Sequence, residues 1–294
     1  MFLEASRGKN GVMTAAGELQ VLIPTDFTVQ AEYAYLMTRK LGERLPLRIH
    51  FLHVLHVPDT VTLNADGSIE TCGEIDAEFV SQQRDLALAK LSDLQQRYGQ
   101  DIQTHLKAGK LTDEIVAFAE AEGMDLIVMG TKGSWGVREK LSGSETQIVA
   151  RRSRVPVLSL RCDRSALLIR NILLIHDFSK CEQLNLKLLQ KMVKAFSANL
   201  HLLQITTGDV ERERPAFEQN VQHFANLNGL PPFTAHLIHD RTVEEGIVHF
   251  NQMHNMDLIF IGTHGKGGLL HHSVTERLIN HLYKPIVSFQ LNES

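Results

Sequence analysis

Cysteine is scarce in this sequence: there are three in 294 residues, and no two of them form a Cys-x-x-Cys pair. This scarcity argues against a disulfide framework and against a cysteine zinc site. It is also typical of proteins that work in a reducing compartment. We therefore expect a cytoplasmic protein.

Long apolar runs and an excess of positive charge are also missing. No run approaches the roughly 18 apolar residues that a membrane-spanning helix needs, and residues 1–18 lack the apolar stretch of a secretory signal. The formal net charge of −4 gives no reason to expect nucleic acid or an anionic membrane as a partner. We interpret residues 1–18 as a disordered leader to a globular protein.

The sequence does contain a repeated unit. Three passages of the first half recur in the same order in the second half: "LQVLIPTDF" as "RNILLIHDF", "GMDLIVMGTKG" as "NMDLIFIGTHG", and "SRVPVLSL" as "LYKPIVSF". Matching landmarks in one order indicate a duplication. The sequence therefore predicts two domains, over residues 19–163 and 168–291.

Short apolar runs alternate with amphipathic stretches in both halves. Alternating strands and helices indicate a parallel sheet with right-handed crossovers, and runs such as "LIVM" indicate strands covered on both faces. The prediction is an α/β fold with two tandem, doubly wound, five-stranded parallel sheets. The predicted strands are 19–24, 47–55, 101–107, 125–129, 156–160, 170–176, 199–205, 233–238, 257–261 and 285–289. The predicted helices are 28–44, 76–98, 112–122, 144–153, 179–196, 213–228, 242–254 and 273–283.

The strand ends suggest where a ligand would bind. In such sheets, ligands lie beyond the carboxyl ends of the strands, where the strand order reverses. Asp26 follows the first predicted strand and Gly130 follows the fourth. If these two strands are neighbours, both residues face one crevice.

A glycine-rich stretch follows the fourth predicted strand. Gly130-x-x-Gly133 is followed by nine residues and then by Gly143-Ser144. The stretch from Ser144 to Gln147 has the form of a capping box, which predicts the start of a helix. Glycines before a helix N-terminus let a phosphate approach free N–H groups and partial positive charge. The spacing alone equally allows a flexible loop followed by a well-capped helix, and no Walker A sequence occurs.

These features together resemble the universal stress protein family. The pattern G-x-x-G, nine residues, G-[ST] is that family's ATP-binding signature, and the flanking "PTD", "DLIVMG" and "VPVL" are similar to the family as well. The resemblance covers both halves except the leader and the segment around 57–75. It implies Rossmann-like domains of the adenine nucleotide alpha hydrolase type, ATP with or without Mg²⁺, and a role in stress response. It also implies that the two halves pair through their last strands, and it allows a homodimer of the whole chain.

The resemblance further implies which residues contact the nucleotide. Thr25 and Asp26 would lie beside the adenosine, the backbone of Val54 would read the adenine, and Met129 and Gly130 would line the ribose and phosphate side. Asp26 could equally cap the first helix, and the two roles are compatible. The phosphates would be wrapped by Gly133, Gly143, Ser144, Glu145 and Thr146.

The second half departs from this pattern. Gly262 and Gly265 are present, but His272 stands where the next glycine is expected, and the loop before Ser273 is three residues shorter than in the first half. His176 replaces Thr25. We expect weak or no ATP binding in this half. We interpret the loop histidines, His264, His271 and His272, as polar loop residues rather than metal ligands.

Three function classes remain: a nucleotide-binding regulator, a slow ATPase or phosphotransferase, and a structural module that only pairs. Phosphoryl transfer usually needs carboxylate-held Mg²⁺ and a group that orients the attacking water or hydroxyl. No acidic pair of this kind stands out beside the glycine stretch, and Asp26 and Glu145 are the carboxylates that we expect at this edge of the sheet. We therefore expect a regulator rather than an enzyme, with at most weak ATP hydrolysis and no catalytic residue.

Overall fold

The computed structural model describes residues 17–57, 61–64, 69–71, 77–99, 101–131, 145–179, 182–263 and 282–291. Strands and helices alternate along both halves. The first half contains β1 (Leu19–Pro24), α1 (Val29–Gly42), β2 (Leu47–His56), β3 (Val61–Leu63), β4 (Ile69–Thr71), α2 (Ala77–Tyr98), β5 (Gln103–Gly109), α3 (Leu111–Ala121), β6 (Leu126–Gly130), α4 (Glu145–Arg152) and β7 (Val157–Leu160). The second half contains β8 (Asn171–Ile175), α5 (Lys187–Phe196), β9 (Asn199–Thr206), α6 (Val210–Leu227), β10 (Phe233–His239), α7 (Val243–His254), β11 (Leu258–Thr263) and β12 (Ile286–Gln290).

Within the described residues, ten strands form one sheet in the order β10-β9-β8-β11-β12-β7-β6-β1-β2-β5. Every neighbouring pair runs parallel except β12 and β7, which are antiparallel. Each half thus contributes five strands, and in the first half the order reverses between β1 and β6. The predicted α/β, Rossmann-like fold class is confirmed.

The seam between β7 and β12 has a pseudo-two-fold arrangement. Ser159 Oγ donates a hydrogen bond to the carbonyl of Ile286 over 3.3 Å, and Ser288 Oγ donates to the carbonyl of Val157 over 3.2 Å. Both serines are buried, and a buried hydroxyl needs such a partner. Each half therefore satisfies the buried hydroxyl of the other.

Helices cover both faces of the sheet, and β1 shows why its sequence is apolar at consecutive positions. Val21 and Ile23 belong to the core that includes α1, whereas Leu22 belongs to the core that includes α3 and α4. All three side chains are fully buried. Because successive side chains in a strand point to opposite faces, a strand covered on both sides needs apolar residues throughout.

The start of α5 differs from the sequence prediction. The predicted helix 179–196 begins only at Lys187. The segment before it is held in a non-helical conformation by Asn228, whose Oδ1 accepts from the amide of Leu184 over 2.7 Å and whose Nδ2 donates to the carbonyl of Glu182 over 3.1 Å. This long-range hydrogen bonding takes precedence over the local preference for helix.

Two further stretches differ from the prediction or lie beyond it. The segment around 57–75, for which no strand was predicted, contains the antiparallel hairpin of β3 and β4. Of the predicted helix 273–283, residues 273–281 lie outside the described residues, and the two that follow are not helical.

Two histidine pairs occupy corresponding positions in the two halves. His50 Nδ1 lies 3.1 Å from His105 Nε2, and His201 Nδ1 lies 3.0 Å from His236 Nε2. Each pair joins the outermost strand of the sheet to its neighbour, β5 to β2 and β10 to β9. Neither pair was predicted from the sequence.

A side-chain amide sets the direction of the hydrogen bonds in each pair. Gln20 Oε1 lies 3.0 Å from His50 Nε2, and Asn171 Oδ1 lies 3.4 Å from His201 Nε2. An amide oxygen can only accept, so the Nε2 atom of each of these histidines carries the hydrogen. When these rings are neutral, their Nδ1 atoms accept from Nε2 of the second histidine of each pair. Protonation of the accepting ring would remove that acceptor.

Burial lowers the pKa of all four paired histidines, and it lowers the pKa values of His50 and His236 to about 4. The two pairs differ in their charged neighbours. The carboxylate of Glu122, just after α3, opposes the fall in the pKa of His105, whereas His254, at the end of α7, lowers the pKa of His236 further. The second half therefore gathers three imidazoles, and no carboxylate opposes the fall in the pKa of His201 or of His236.

We predict that this protein loses stability in acid through these pairs. Their folded-state pKa values lie below the ordinary value of 6.5, so the unfolded chain binds more protons as the pH falls. The stabilising contribution should be complete above pH 6.5 and should decline as the pH falls toward about 4. His254→Glu, which gives the second half the carboxylate of the first, should reduce this decline.

The measurement is the free energy of unfolding in urea, between about pH 7 and about pH 5, for the wild type and the variant. Met253→Glu is the matched control, because it adds the same charge at a neighbouring side chain that is 69% exposed. Equal pH profiles for the two variants would contradict the prediction.

Candidate nucleotide site

The structure brings five of the predicted site residues to one edge of the sheet. Thr25 and Asp26 follow β1, Val54 lies near the end of β2, and Met129 and Gly130 end β6. Since β1 lies between β2 and β6 and all three are parallel, their carboxyl ends meet. This is the point where the strand order reverses, as the sequence predicted.

The remaining predicted residues are divided between the described and undescribed parts of the chain. Gly133, Gly143 and Ser144 lie outside the described residues. Glu145 and Thr146 are the first two residues of α4, where Glu145 is exposed and Thr146 is buried. The roles of all five in phosphate binding stay predictions.

Thr25 is held by three hydrogen bonds within the protein. Its amide donates to the carbonyl of Leu52 over 2.8 Å, its Oγ1 accepts from the amide of Phe27 over 3.0 Å, and its carbonyl lies 2.7 Å from His53 Nδ1. The residue is buried. Thr25 therefore fixes the path of the chain as it leaves β1.

Asp26 shapes the turn before α1 rather than capping the helix. Its Oδ1 accepts from the amide of Thr28 over 3.1 Å and from the hydroxyl of the same residue. The N-cap position of the helix is occupied by Thr28, although the side chain of Thr28 makes no capping hydrogen bond. Of the two roles considered for Asp26, helix capping is therefore wrong. Contact with a ligand stays a prediction, and the exposed position of this carboxylate allows it.

Val54 has its peptide groups directed past the end of β1. Two residues earlier, the carbonyl of Leu52 accepts from Thr25 on the β1 side. Alternate residues of a strand direct their peptide groups to the same side, so those of Val54 also point toward β1, which has ended by then. On its other side β2 continues to pair with β5. A planar ligand beyond β1 could form hydrogen bonds with this exposed strand edge.

Gly130 allows α1 to approach β6 closely. A Cβ atom at this position would lie 2.0 Å from the carbonyl oxygen of Gln30, in the first turn of α1. Its φ angle is not in the left-handed region, so the glycine is needed for space rather than for an unusual conformation. The contact brings the free N–H groups and the partial positive charge of the helix N-terminus to the edge of the sheet.

The second half lacks this contact. The three atoms nearest to a Cβ at Gly262 would all belong to the side chain of Leu291, the closest at 2.7 Å. The helix after β8 begins only at Lys187, so no helix N-terminus is placed as in the first half.

The chain that follows β8 instead folds into the core. His176, at the position of Thr25, is buried, and its ring centroid lies 5.5 Å from that of Phe178 and 4.9 Å from that of Phe224. Its Nε2 lies 3.6 Å from Glu182 Oε1. In the first half, Thr25 and the partly exposed Phe27 stand at the positions of His176 and Phe178.

In the described parts of the chain, no group of three or more His, Cys, Asp or Glu side chains could hold a metal ion. The loop histidines from 264 to 272 lie outside the described residues. None of the described helices is long and apolar enough to cross a membrane.

The two corresponding glycines lead to a testable difference. Gly130→Ala should shift the first turn of α1 and destabilise the protein by about 1–3 kcal/mol, because the new Cβ meets backbone that cannot rotate away. Gly262→Ala should cost less, since the clashing atoms belong to a flexible leucine side chain. Chemical denaturation of both variants measures the two free energies of unfolding. An equal or larger loss for Gly262→Ala would contradict this account.

Comparisons with known proteins agree with this geometry. The sequence model of the "Universal stress protein family" matches residues 19–161 and 168–288. Two universal stress proteins of Methanocaldococcus jannaschii are similar to one half of the chain: MJ0531 is 30% identical over 142 residues, covering 48% of this chain and 81% of that protein, and MJ0577 is 27% identical over 152 residues, covering 48% and 94%.

A solved structure is similar to nearly the whole chain. The crystal structure of a universal stress protein from Archaeoglobus fulgidus superposes with a TM-score of 0.68 at 21% identity, covering 93% of this chain and 97% of that one. At this identity the likeness shows the fold alone, including the arrangement of two successive domains in one chain. The family match over both halves carries the assignment further: this chain belongs to the universal stress protein family.

Proposed function

We propose that this protein is a cytoplasmic stress-response regulator that binds ATP, with Mg²⁺, in its N-terminal half. The observation that carries the proposal is the meeting of β1, β2, β6 and the first turn of α1 at Gly130. The glycine signature of the sequence begins at this residue. Membership of the universal stress protein family supports both the nucleotide and the stress role.

The positions of the residues at the carboxyl edge of β1, β2 and β6 suggest how ATP would lie. The peptide groups of Val54 are suited to the hydrogen-bonding edge of adenine, and Thr25 and Asp26 lie on the path toward the sugar. The phosphates would then extend past Met129 and Gly130 toward the residues that follow β6. They would be held by Gly133, Gly143, Ser144, Glu145 and Thr146.

We propose a binding protein rather than an enzyme. Asp26 already uses Oδ1 to hold Thr28, and Glu145 opens α4 as an exposed side chain. Efficient phosphoryl transfer would require further groups that hold Mg²⁺ and orient the attacking water. Any ATP hydrolysis should therefore be slow.

For the second half we propose a structural role. Its helix α5 starts too late to reach the crevice, and Phe178 is fully buried where Phe27 of the first half is partly exposed. Pairing of the halves through β7 and β12 would let ATP in the first half influence the second.

A homodimer of the whole chain is a separate expectation, which sedimentation of the intact protein would test.

Calorimetric titration of the nucleotide-free protein with MgATP should give a stoichiometry near one per chain. Gly143→Val should abolish this binding without unfolding the protein, because a side chain at the close-approach position blocks the phosphates. Gly265→Val, in the corresponding loop of the second half, is the matched control and should bind like the wild type. Unchanged affinity in Gly143→Val would show that the loop assignment is wrong, and a stoichiometry near two would show that the second half binds as well.

His272→Gly should not create a second tight site. It restores the missing glycine, but the loop remains three residues shorter than in the first half and α5 still begins at Lys187. The same titration should again give about one ATP per chain. Two equivalents bound by this variant would mean that the glycine alone was the defect.

A further inference from the structure

Two aromatic residues beside the predicted site form a pair that was not predicted from the sequence. Phe27 follows Asp26, and His53 precedes Val54. Their ring centroids lie 4.6 Å apart with an angle of 40° between the planes. Both side chains are partly exposed at the carboxyl edge of the sheet.

The hydrogen bond of His53 fixes which nitrogen can face a ligand. Its Nδ1 lies 2.7 Å from the carbonyl oxygen of Thr25. A carbonyl can only accept, so Nδ1 carries the hydrogen of the neutral ring. Nε2 is then left with a lone pair and can accept a hydrogen bond from another molecule.

Phe27 is kept in an unusual backbone conformation. Its φ angle is +63°, in the left-handed region that bulky residues rarely adopt. The amide of Phe27 is held there by Thr25 Oγ1. Lys90 of α2 places its Nζ 5.2 Å from the centroid of the Phe27 ring. Strain of this kind persists where the surrounding structure imposes it, and it is concentrated at ligand sites.

The second half shows what these two positions do when no ligand is expected. Phe178, at the position of Phe27, is fully buried, and its φ angle is not in the left-handed region. Gln204, at the position of His53, accepts from the amide of Phe178 through its side-chain oxygen over 3.1 Å. The same fold can therefore bury this phenylalanine fully, whereas the first half holds it partly exposed and in a left-handed conformation.

We propose that Phe27 and His53 form the base-recognition shelf of the N-terminal site. The purine stacks on the ring of Phe27, and its exocyclic amine donates a hydrogen bond to His53 Nε2. The inference rests on the proposed ATP site and deepens it by naming what selects the base. Adenine carries the required amine, whereas hypoxanthine has in its place an oxygen that can only accept.

Two variants separate the shelf from the fold. Phe27→Gly removes the ring at a position where glycine adopts the φ angle without strain, so the fold should be retained. His53→Gln introduces the residue that the second half already has at this position. Phe79→Ala is the matched control, because it removes an aromatic ring that is 58% exposed elsewhere, in the first turn of α2.

The experiment titrates each protein with MgATP and with the magnesium complex of inosine triphosphate, alongside melting temperatures. The wild type should prefer ATP by about tenfold or more, since a lone-pair acceptor facing an oxygen leaves both unpaired. Phe27→Gly should weaken both nucleotides by about tenfold, the effect of one lost base–aromatic stack. His53→Gln should reduce the preference, because an amide can turn to donate or accept, and the part that remains would come from the peptide groups of Val54. Phe79→Ala should behave like the wild type.

The outcomes distinguish this inference from the proposed function. If the wild type binds ATP but Phe27→Gly and His53→Gln bind both nucleotides as the wild type does, the shelf is wrong and the ATP site stands. Equal affinity of the wild type for the two nucleotides also overturns the shelf alone. If the wild type binds neither nucleotide, the proposed function fails and the shelf fails with it.

Discussion

The packing of the first turn of α1 against Gly130 determines the geometry of the carboxyl edge of the sheet in the N-terminal half. No side chain fits between the helix backbone and the end of β6 at this point. The helix must therefore begin at Val29, immediately beyond the edge of the sheet. Only a short link joins β1 to α1, and its own side chains must hold the turn. The hydrogen bonds of Thr25 and Asp26 and the left-handed conformation of Phe27 all follow from this constraint.

The second half shows the same fold without that constraint. With α5 beginning at Lys187, the link from β8 is long enough to fold inward, and its aromatic residues join the core. The antiparallel seam adds a further consequence. Because β7 and β12 run in opposite directions, the carboxyl edge of one half lies beside the amino edge of the other. The two crevices therefore open on opposite edges of the sheet, and the strand ends of one half cannot complete the crevice of the other.

The sequence allowed much of this fold to be predicted, because strands buried on both faces are apolar at consecutive residues, as in "LIVM". It could not give the start of α5, which depends on Asn228, a residue 44 positions from Leu184 in the chain. Nor could local patterns reveal the histidine pairs, whose members lie on different strands. The repeat did contain a signal for them, since His50 corresponds to His201 and His105 to His236. That correspondence becomes visible only when the strand registers are known.

The candidate site illustrates a general limit of a glycine signature. Its first glycine, Gly130, is required by the packing of a helix. The second half keeps a glycine at the same place, Gly262, although the atoms nearest to a Cβ there would belong to the side chain of Leu291. A glycine at the end of this strand is therefore no evidence of a ligand by itself. What distinguishes the two halves is the length of the link before the first helix, because only a short link keeps both the helix N-terminus and Phe27 at the edge of the sheet.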